Sequence, residues 1–400
     1  MPNSRDFIRI EDRYGAHNYK PLDVVLTRGQ GIWVEDVDGK RYMDFLAAYS
    51  AVNQGHCHPR LVKVMQEQCA RLALTSRAFR NDQWPMLAKE LCELTGYEMV
   101  LPMNSGAEAV ETAIKAARKW GYQIKGVAQD RAEIIVCAGN FHGRTTTIIS
   151  FSSDDQYKNG FGPLTPGFII INYGSIEELR RSITPNTVAF LVEPIQGESG
   201  VVVPPDGFLH AAAEICRENR VLLVTDEIQS GLGRTGKLFA FEHENVRPDM
   251  VIIGKALSGG MYPVSVVIGS QEVLGVFKPG DHGSTYGGNP LGCAIAREAV
   301  KIITDEKLPE KSAESGTYLI QKLTEIKSPY VETIRGKGLW IGIVLKQSAG
   351  GARRFCEALQ ERGILAKETH ENVIRLAPPL TITRAEIDQA LEIIREVLSE

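Results

Sequence analysis

The stretch PDMVIIGKALSGGMYPVSVVIGS, residues 248–270, holds two short apolar runs only a few residues apart. Each reads as a buried strand, and the gap between them is too short for the helical crossover that parallel neighbours need, so one runs antiparallel. Working outward, similar runs recur as EMVLPM (98–103), EIIVCAG (133–139), FIIIN (168–172), VAFLVEP (188–194) and VLLVTDE (221–227). Helical or turn-rich stretches separate most of them. This pattern predicts an α/β fold with a mostly parallel seven-stranded sheet and helices on both faces.

The flanks differ. GIWVEDVDGKRYMDF (31–45) alternates and turns at Asp38-Gly39, a β-hairpin signal. After residue 300 come an apolar run GLWIGIVL (338–345), a helix ARRFCEALQERG (352–363), NVIRLAPPL (372–380) and a last helix opened by Thr383 and Glu386 at capping-box spacing. The early hairpin has no partner of its own. The expected division is a large domain, 46–299, and a small discontinuous α+β domain, 1–45 with 300–400.

Composition excludes several classes of function. A hydrophobic share of 43% and a charged share of 24% are those of an ordinary globular chain. The formal net charge of −4 and the lack of basic runs argue against nucleic-acid binding. The N-terminal residues carry no leader pattern, and no apolar run approaches the roughly 20 residues of a membrane helix, so a cytoplasmic location without membrane contact is expected. Seven scattered cysteines fit reduced thiols. His56, Cys57 and His58 in GHCHP resemble metal ligands, but ligands on consecutive residues rarely converge on one ion, and no metal is expected.

Open α/β sheets bind ligands at the carboxyl ends of their strands, so the residues after each strand matter most. After MVLPM comes a helix whose first turn holds Ser105, Gly106 and Ala107. Small residues there leave backbone N–H groups free for an anion, although a plain capped helix reads the same way. Asp226 ends an apolar strand, where a carboxylate needs a partner, and Gln229 lies three residues on. It is either a structural acid or a partner for a protonated pyridine. Lys255 follows another strand; burial favours the neutral amine, a nucleophile toward carbonyls, although a snorkelling lysine is the simpler reading of that residue alone. In GNFHGRTTT, Phe141 can stack on a flat ring and Arg144 can hold a carboxylate. Thr285 lies in the glycine-rich HGSTYGGNPLG, a second possible phosphate contact. His142 and His282 read as isolated hydrogen-bonding side chains. Phosphate site, strand-end acid and strand-end lysine together describe a pyridoxal phosphate pocket.

The ordered motifs SGAEA, FHGRT, VEPIQGE, DEIQSGLGRTG, GKALSGG, HGSTYGGNPLG and RLAPPL resemble the class III (ω-amino-acid) aminotransferases, from about residue 14 to the C-terminus. YGAHNYKPL and YSAVNQGHCHP are similar to the ornithine-using branch of that family. The resemblance implies an aspartate-aminotransferase-like fold, pyridoxal 5'-phosphate, and a homodimer with active sites at its interface. It also implies roles. Lys255 falls on the cofactor-bound lysine, Asp226 on the partner of the pyridine nitrogen, Gln229 on the ring-hydroxyl contact and Phe141 on the stacking aromatic. Gly106 and Ala107 match the phosphate cradle, with Thr285 given across the interface. Tyr19, Tyr49 and Arg144 match ornithine-binding residues, and Glu198 with Arg375 a paired acid and arginine. His142 departs from relatives with a tryptophan there. The implied reaction takes L-ornithine and 2-oxoglutarate to glutamate 5-semialdehyde, which cyclises to pyrroline-5-carboxylate, and L-glutamate. Arginine breakdown and proline supply would be its setting. Competing expectations are an N-acetylornithine, 4-aminobutyrate or lysine donor, or a pyridoxal-phosphate-binding protein without activity.

Overall fold

The computed structural model describes residues 2–399. Its centre is a seven-stranded sheet in the order Met99–Met103, Ser265–Gly269, Met250–Ile253, Leu222–Asp226, Thr187–Val192, Glu133–Cys137, Phe168–Ile171. Ser265–Gly269 is antiparallel to both neighbours and every other pairing is parallel, as the short gap after residue 253 requires. Because Met99–Met103 flanks this inverted strand, its carboxyl end lies on the same side as those of the parallel strands. Six of the seven strands therefore end at one edge of the sheet.

The strands are near-continuous apolar runs because both faces are covered. Thr187–Val192 and Leu222–Asp226 are buried along their whole length. The helix Gly106–Trp120 packs across one face and buries Ala109, Val110, Ala113, Ile114, Ala116, Ala117 and Trp120. That is broader than a single stripe, since the helix is enclosed on more than its sheet side.

The hairpin forms as Trp33–Asp36 against Arg41–Asp44, with Gly39 in the turn at φ +89. Arg41–Asp44 also pairs in parallel with Ile364–Leu365. The N-terminal strands thus share a sheet with the last third of the chain. Beside it, Val331–Gly336, Ile341–Leu345, Val373–Leu376 and Lys367–Thr369 form a second four-stranded sheet. The last helix, Arg384–Ser399, opens with the expected reciprocal cap: Glu386 N–H donates to Thr383 Oγ1 at 3.3 Å and Thr383 N–H to Glu386 Oε2 at 2.8 Å. Two elements lie outside the runs read from the sequence. Leu26–Gln30 is a largely exposed edge strand, and Ser4–Tyr14 is a helix with no buried residue. In GHCHP, His56 bonds Asp44 at 2.7 Å and His58 bonds Glu306 at 3.0 Å, so each imidazole is tethered to a different carboxylate. No helix among the described residues is long and apolar enough to cross a membrane.

Candidate active site

At the carboxyl edge of the large sheet lies a cavity of about 210 Å³. Gly106, Ala107, Phe141, His142, Asp226, Gln229 and Lys255 all line it. Residues far apart in sequence meet there because their strands end side by side.

Lys255 comes two residues after Met250–Ile253 and opens a 3₁₀ turn, Lys255–Ser258. Its φ of +44 is left-handed. For a residue with a Cβ that conformation costs on the order of 1 kcal/mol, and it turns the side chain toward the cavity rather than along the strand. Among the described residues, the amine has no hydrogen-bond or ion-pair partner. Burial pushes its pKa below the ordinary lysine value, outweighing the nearby Glu198 and Asp226 carboxylates.

Asp226 is buried, and both its oxygens are engaged. Oδ1 accepts the Ile228 N–H at 3.0 Å, and Oδ2 accepts from His142 Nδ1 at 2.7 Å. His142 is therefore part of the site, not the isolated loop histidine its surroundings in sequence suggest. Burial alone would lower the His142 pKa; the Asp226 bond outweighs it and raises the value. His142 Nε2 is buried without a partner. Glu193, which follows Thr187–Val192, accepts the Phe141 N–H at 3.0 Å. Burial pushes this carboxyl up to about 7. No sequence periodicity marked Glu193; the VEP motif after a buried strand was its only signal.

Gly106 and Ala107 open the 15-residue helix, so its first N–H groups face the cavity. A Cβ on Gly106 would come within 2.9 Å of Ile228 Cδ1. Ser105 is exposed and caps the helix, its Oγ accepting the Glu108 N–H at 3.2 Å. Gly143, at φ +126, lets the chain cross this helix start, where a Cβ would meet Ala107 Cβ at 2.9 Å. Thr285 is exposed and does not line its own chain's cavity.

A second cluster lies alongside. Arg375, on Val373–Leu376, is only 1% exposed, and its Nη1 pairs with Glu198 Oε1 at 2.7 Å. Gln229 bridges them, donating to Glu198 at 3.2 Å and accepting from Arg375 at 3.3 Å. Burial opposes the Glu198 charge, but Arg375 holds its pKa below the ordinary value. Arg375 Nε has no partner, so the fork retains a free donor. The guanidinium lies 4.7 Å from the Tyr49 ring centroid. Tyr49 reaches it from a left-handed turn, Ala47 to Ser50, with φ of 46, 47, 60 and 69. Asp44 Oδ1 holds the entry to this turn by accepting the Leu46 and Ala47 N–H groups at 2.8 and 2.9 Å. Tyr19 is 74% exposed, near enough to bear electrostatically on Tyr49 and Tyr157. Arg144 is exposed beside the cavity and stacks on Tyr157 and Phe141.

An amine, an engaged acid, an amide, an aromatic ring and a helix N-terminus around one cavity suit a flat anionic aldehyde. Comparison with known proteins decides the family. The class III aminotransferase profile matches residues 14–398. The chain belongs to the class III aminotransferases. Their cofactor is pyridoxal phosphate, and the donors just described fit it: the open Gly106–Ala107 helix start, the unpartnered Lys255 amine and the buried Asp226. The chain is 57% identical to an ornithine aminotransferase of Geobacillus sp. (strain WCH70), covering 100% of both proteins. It is similar to the crystal structure of ornithine aminotransferase from Toxoplasma gondii ME49, with 43% identity, a TM-score of 0.98, and coverage of 100% of this chain and 95% of that one. It is also similar to acetylornithine aminotransferase from Elizabethkingia anophelis, with 47% identity, a TM-score of 0.91, and coverage of 100% and 99%. This class III enzyme therefore has solved relatives named for two different donors.

Proposed function

We propose that this class III aminotransferase transfers the δ-amine of L-ornithine to 2-oxoglutarate, giving glutamate 5-semialdehyde and L-glutamate. The observation that carries the reading is the Glu198–Arg375 pair beside the Lys255 cavity, with Arg144 as a second guanidinium outside it. The two substrates pose a charge problem. Ornithine presents its δ-amine and must keep its α-carboxylate and α-amine far from the reacting atoms. Glutamate presents its α-amine with a carboxylate close by. One fixed arginine cannot serve both.

When bound, pyridoxal phosphate supplies an aldehyde that takes up the donor amine and a ring that spreads the electron pair left on the donor carbon. Lys255, with its lowered pKa, would hold the cofactor and would serve as the base that moves the proton of the donor carbon. Asp226, held by His142 and the Ile228 N–H, would be the partner of the pyridine nitrogen. Phe141 would stack on the ring, Gln229 would contact its hydroxyl, and the Gly106–Ala107 N–H groups would take the phosphate, with Ser105 fixing that helix start. Thr285 completes the phosphate site from the second subunit of a homodimer. Arg144, with Tyr19, holds ornithine's α-carboxylate, and Tyr49 shapes the pocket wall. Glu198 neutralises Arg375 while ornithine is bound; Arg375 serves the α-carboxylate of glutamate or 2-oxoglutarate. Residues 46–299 act as the cofactor-binding unit. Residues 1–45 with 300–400 act as the covering unit, joined to it through the helix Pro290–Asp305. The free semialdehyde carries its own α-amine and closes to pyrroline-5-carboxylate, which suits a cytoplasmic role in arginine breakdown or proline supply.

A donor comparison tests the reading. Purified holoenzyme with 2-oxoglutarate receives L-ornithine, N-acetylornithine, 4-aminobutyrate or L-lysine separately, and glutamate and pyrroline are quantified. Ornithine should be strongly preferred, with pyrroline formed. Preference for the acetylated donor would overturn the substrate reading and leave the cofactor site standing.

A further inference from the structure

We propose that Tyr157 is a positioning residue that sets the guanidinium of Arg144 for a donor's carboxylate, and so helps fix which amine of the donor reacts. This rests on the reading of Arg144 given above. Tyr157 lies on a short 3₁₀ turn, Asp155–Tyr157, in a loop that no sequence motif singled out. The Arg144 guanidinium carbon stands 4.1 Å from the centroid of the Tyr157 ring and 5.7 Å from that of Phe141. The two rings meet edge to face, with centroids 6.2 Å apart. Arg144 is thus stacked on one aromatic ring and neighboured by a second, which itself lines the cofactor cavity.

Among the described residues, Arg144 has no carboxylate within ion-pair distance and no hydrogen-bond acceptor. Stacking on a ring face leaves the in-plane N–H edge open, and that edge is what a carboxylate engages with two parallel bonds. An unanchored arginine would have to lose rotamer freedom when the carboxylate arrives; the ring limits that freedom in advance. The loop carrying Tyr157 is itself tied to the segment carrying Arg144. The Gly139 N–H donates to Ser153 Oγ at 2.7 Å, and Asp154 caps the turn by accepting the Gln156 N–H at 2.9 Å. A second cavity, about 380 Å³, opens on this side, lined by Phe141, Tyr157 and Glu198 among others. Phe141 is common to both cavities and Tyr157 lines the second, so the ring that carries Arg144 borders the space next to the cofactor site.

The test compares Tyr157→Leu, which removes the ring, with Tyr157→Phe, which removes only the hydroxyl. Holoenzyme of each is assayed with L-ornithine and with 1,4-diaminobutane, the same chain without the carboxylate, as donor or as competitor. Tyr157→Leu should raise KM for L-ornithine about five- to tenfold with kcat within about twofold, the scale of a partly desolvated cation–π contact. The diamine's KM or Ki should not move. Tyr157→Phe should stay within about twofold of the wild type. In an Arg144→Ala background, Tyr157→Leu should add nothing. The proposal is overturned if Tyr157→Leu leaves the ornithine KM unchanged, if it weakens both donors alike, or if Tyr157→Phe falls as far. Should the wild type instead prefer N-acetylornithine or 4-aminobutyrate, the ornithine reading fails by itself. The same variants are then read with that donor, which also carries a carboxylate.

Discussion

At the end of the cavity where Gly106, Asp226 and Lys255 meet, each residue ends a strand, closely follows one, or opens the helix behind one. Among the residues outside that cavity, Tyr19, Tyr49, Arg144, Glu198 and Arg375, a second end of the proposed site, only Arg375 sits on a strand; the others are on loops or a left-handed turn. The first end is fixed by the hydrogen-bonded frame of the sheet. The second is fixed by side chains holding one another: Glu198 to Arg375, Gln229 to both, Tyr49 and Tyr157 under guanidinium groups. A rigid frame suits a cofactor that stays through every turnover. A network of side-chain contacts suits two substrates that alternate, because its partners can exchange. Breaking the first end should remove the chemistry for every donor, whereas breaking the second should redistribute it among donors.

Lys255→Ala tests the first end most severely. It should lower kcat at least about ten-thousand-fold with every donor if, as proposed, this amine transfers the proton and anchors the cofactor. The measurement is single-turnover rate together with the visible absorbance of bound cofactor. A loss confined to one donor would place Lys255 with the substrate end instead.

At the second end, Arg375→Lys keeps the charge and loses the fork. The half-reaction with 2-oxoglutarate should fall about 10- to 100-fold, while the ornithine half-reaction stays nearly intact, and stopped-flow traces of each half separate the two. Equal damage to both halves would remove Arg375 from its assigned role. Glu198→Ala should act in the opposite sense, freeing Arg375 and raising the use of α-amines relative to δ-amines. An unchanged preference would end the idea of a gate.

The smallest effect is expected from His142→Phe, which touches the frame behind the first end. It should cost about 1–3 kcal/mol of stability through the lost charged hydrogen bond to Asp226. The pH dependence follows from the raised His142 pKa. The folded protein holds this proton more tightly than the unfolded chain. The stabilisation is therefore complete below the ordinary value of 6.5 and is lost as pH rises through the raised one. Melting temperatures of the cofactor-free protein between about pH 6 and 9 should converge toward those of the variant as pH increases. A constant gap would mean that packing against Phe151, 5.9 Å away, and not charge, is what His142 contributes.

The large sheet was legible because its five central strands are almost wholly buried and every strand reads as a mainly apolar run. The inverted strand was legible from chain length alone. Lys255, Asp226 and Gly106 could be placed for the same reason, since a residue at a strand end has few places to go. The edge strand Leu26–Gln30 escaped because it buries little and so shows no alternation. The helix Ser4–Tyr14 is polar overall, and its one apolar stripe of Phe7, Ile10 and Tyr14 buries nothing. His142 and Tyr157 escaped for a different reason. Their partners, Asp226 and Arg144, are 84 and 13 residues away, and nothing local in either stretch says which way a loop side chain turns.

The sequence by itself determined the sheet, its strand-end residues and, through ordered motifs, the family, because burial and chain length constrain strands wherever they occur. The motifs had already implied Glu198 and Arg375 as a pair, but the tertiary structure alone decided how the side chains around them are held. It bridged that pair through Gln229, turned Tyr49 through a left-handed segment, and brought Tyr157 beneath Arg144. Those contacts join loops and distant strands, and their geometry follows only once the sheet has fixed where each loop begins and ends.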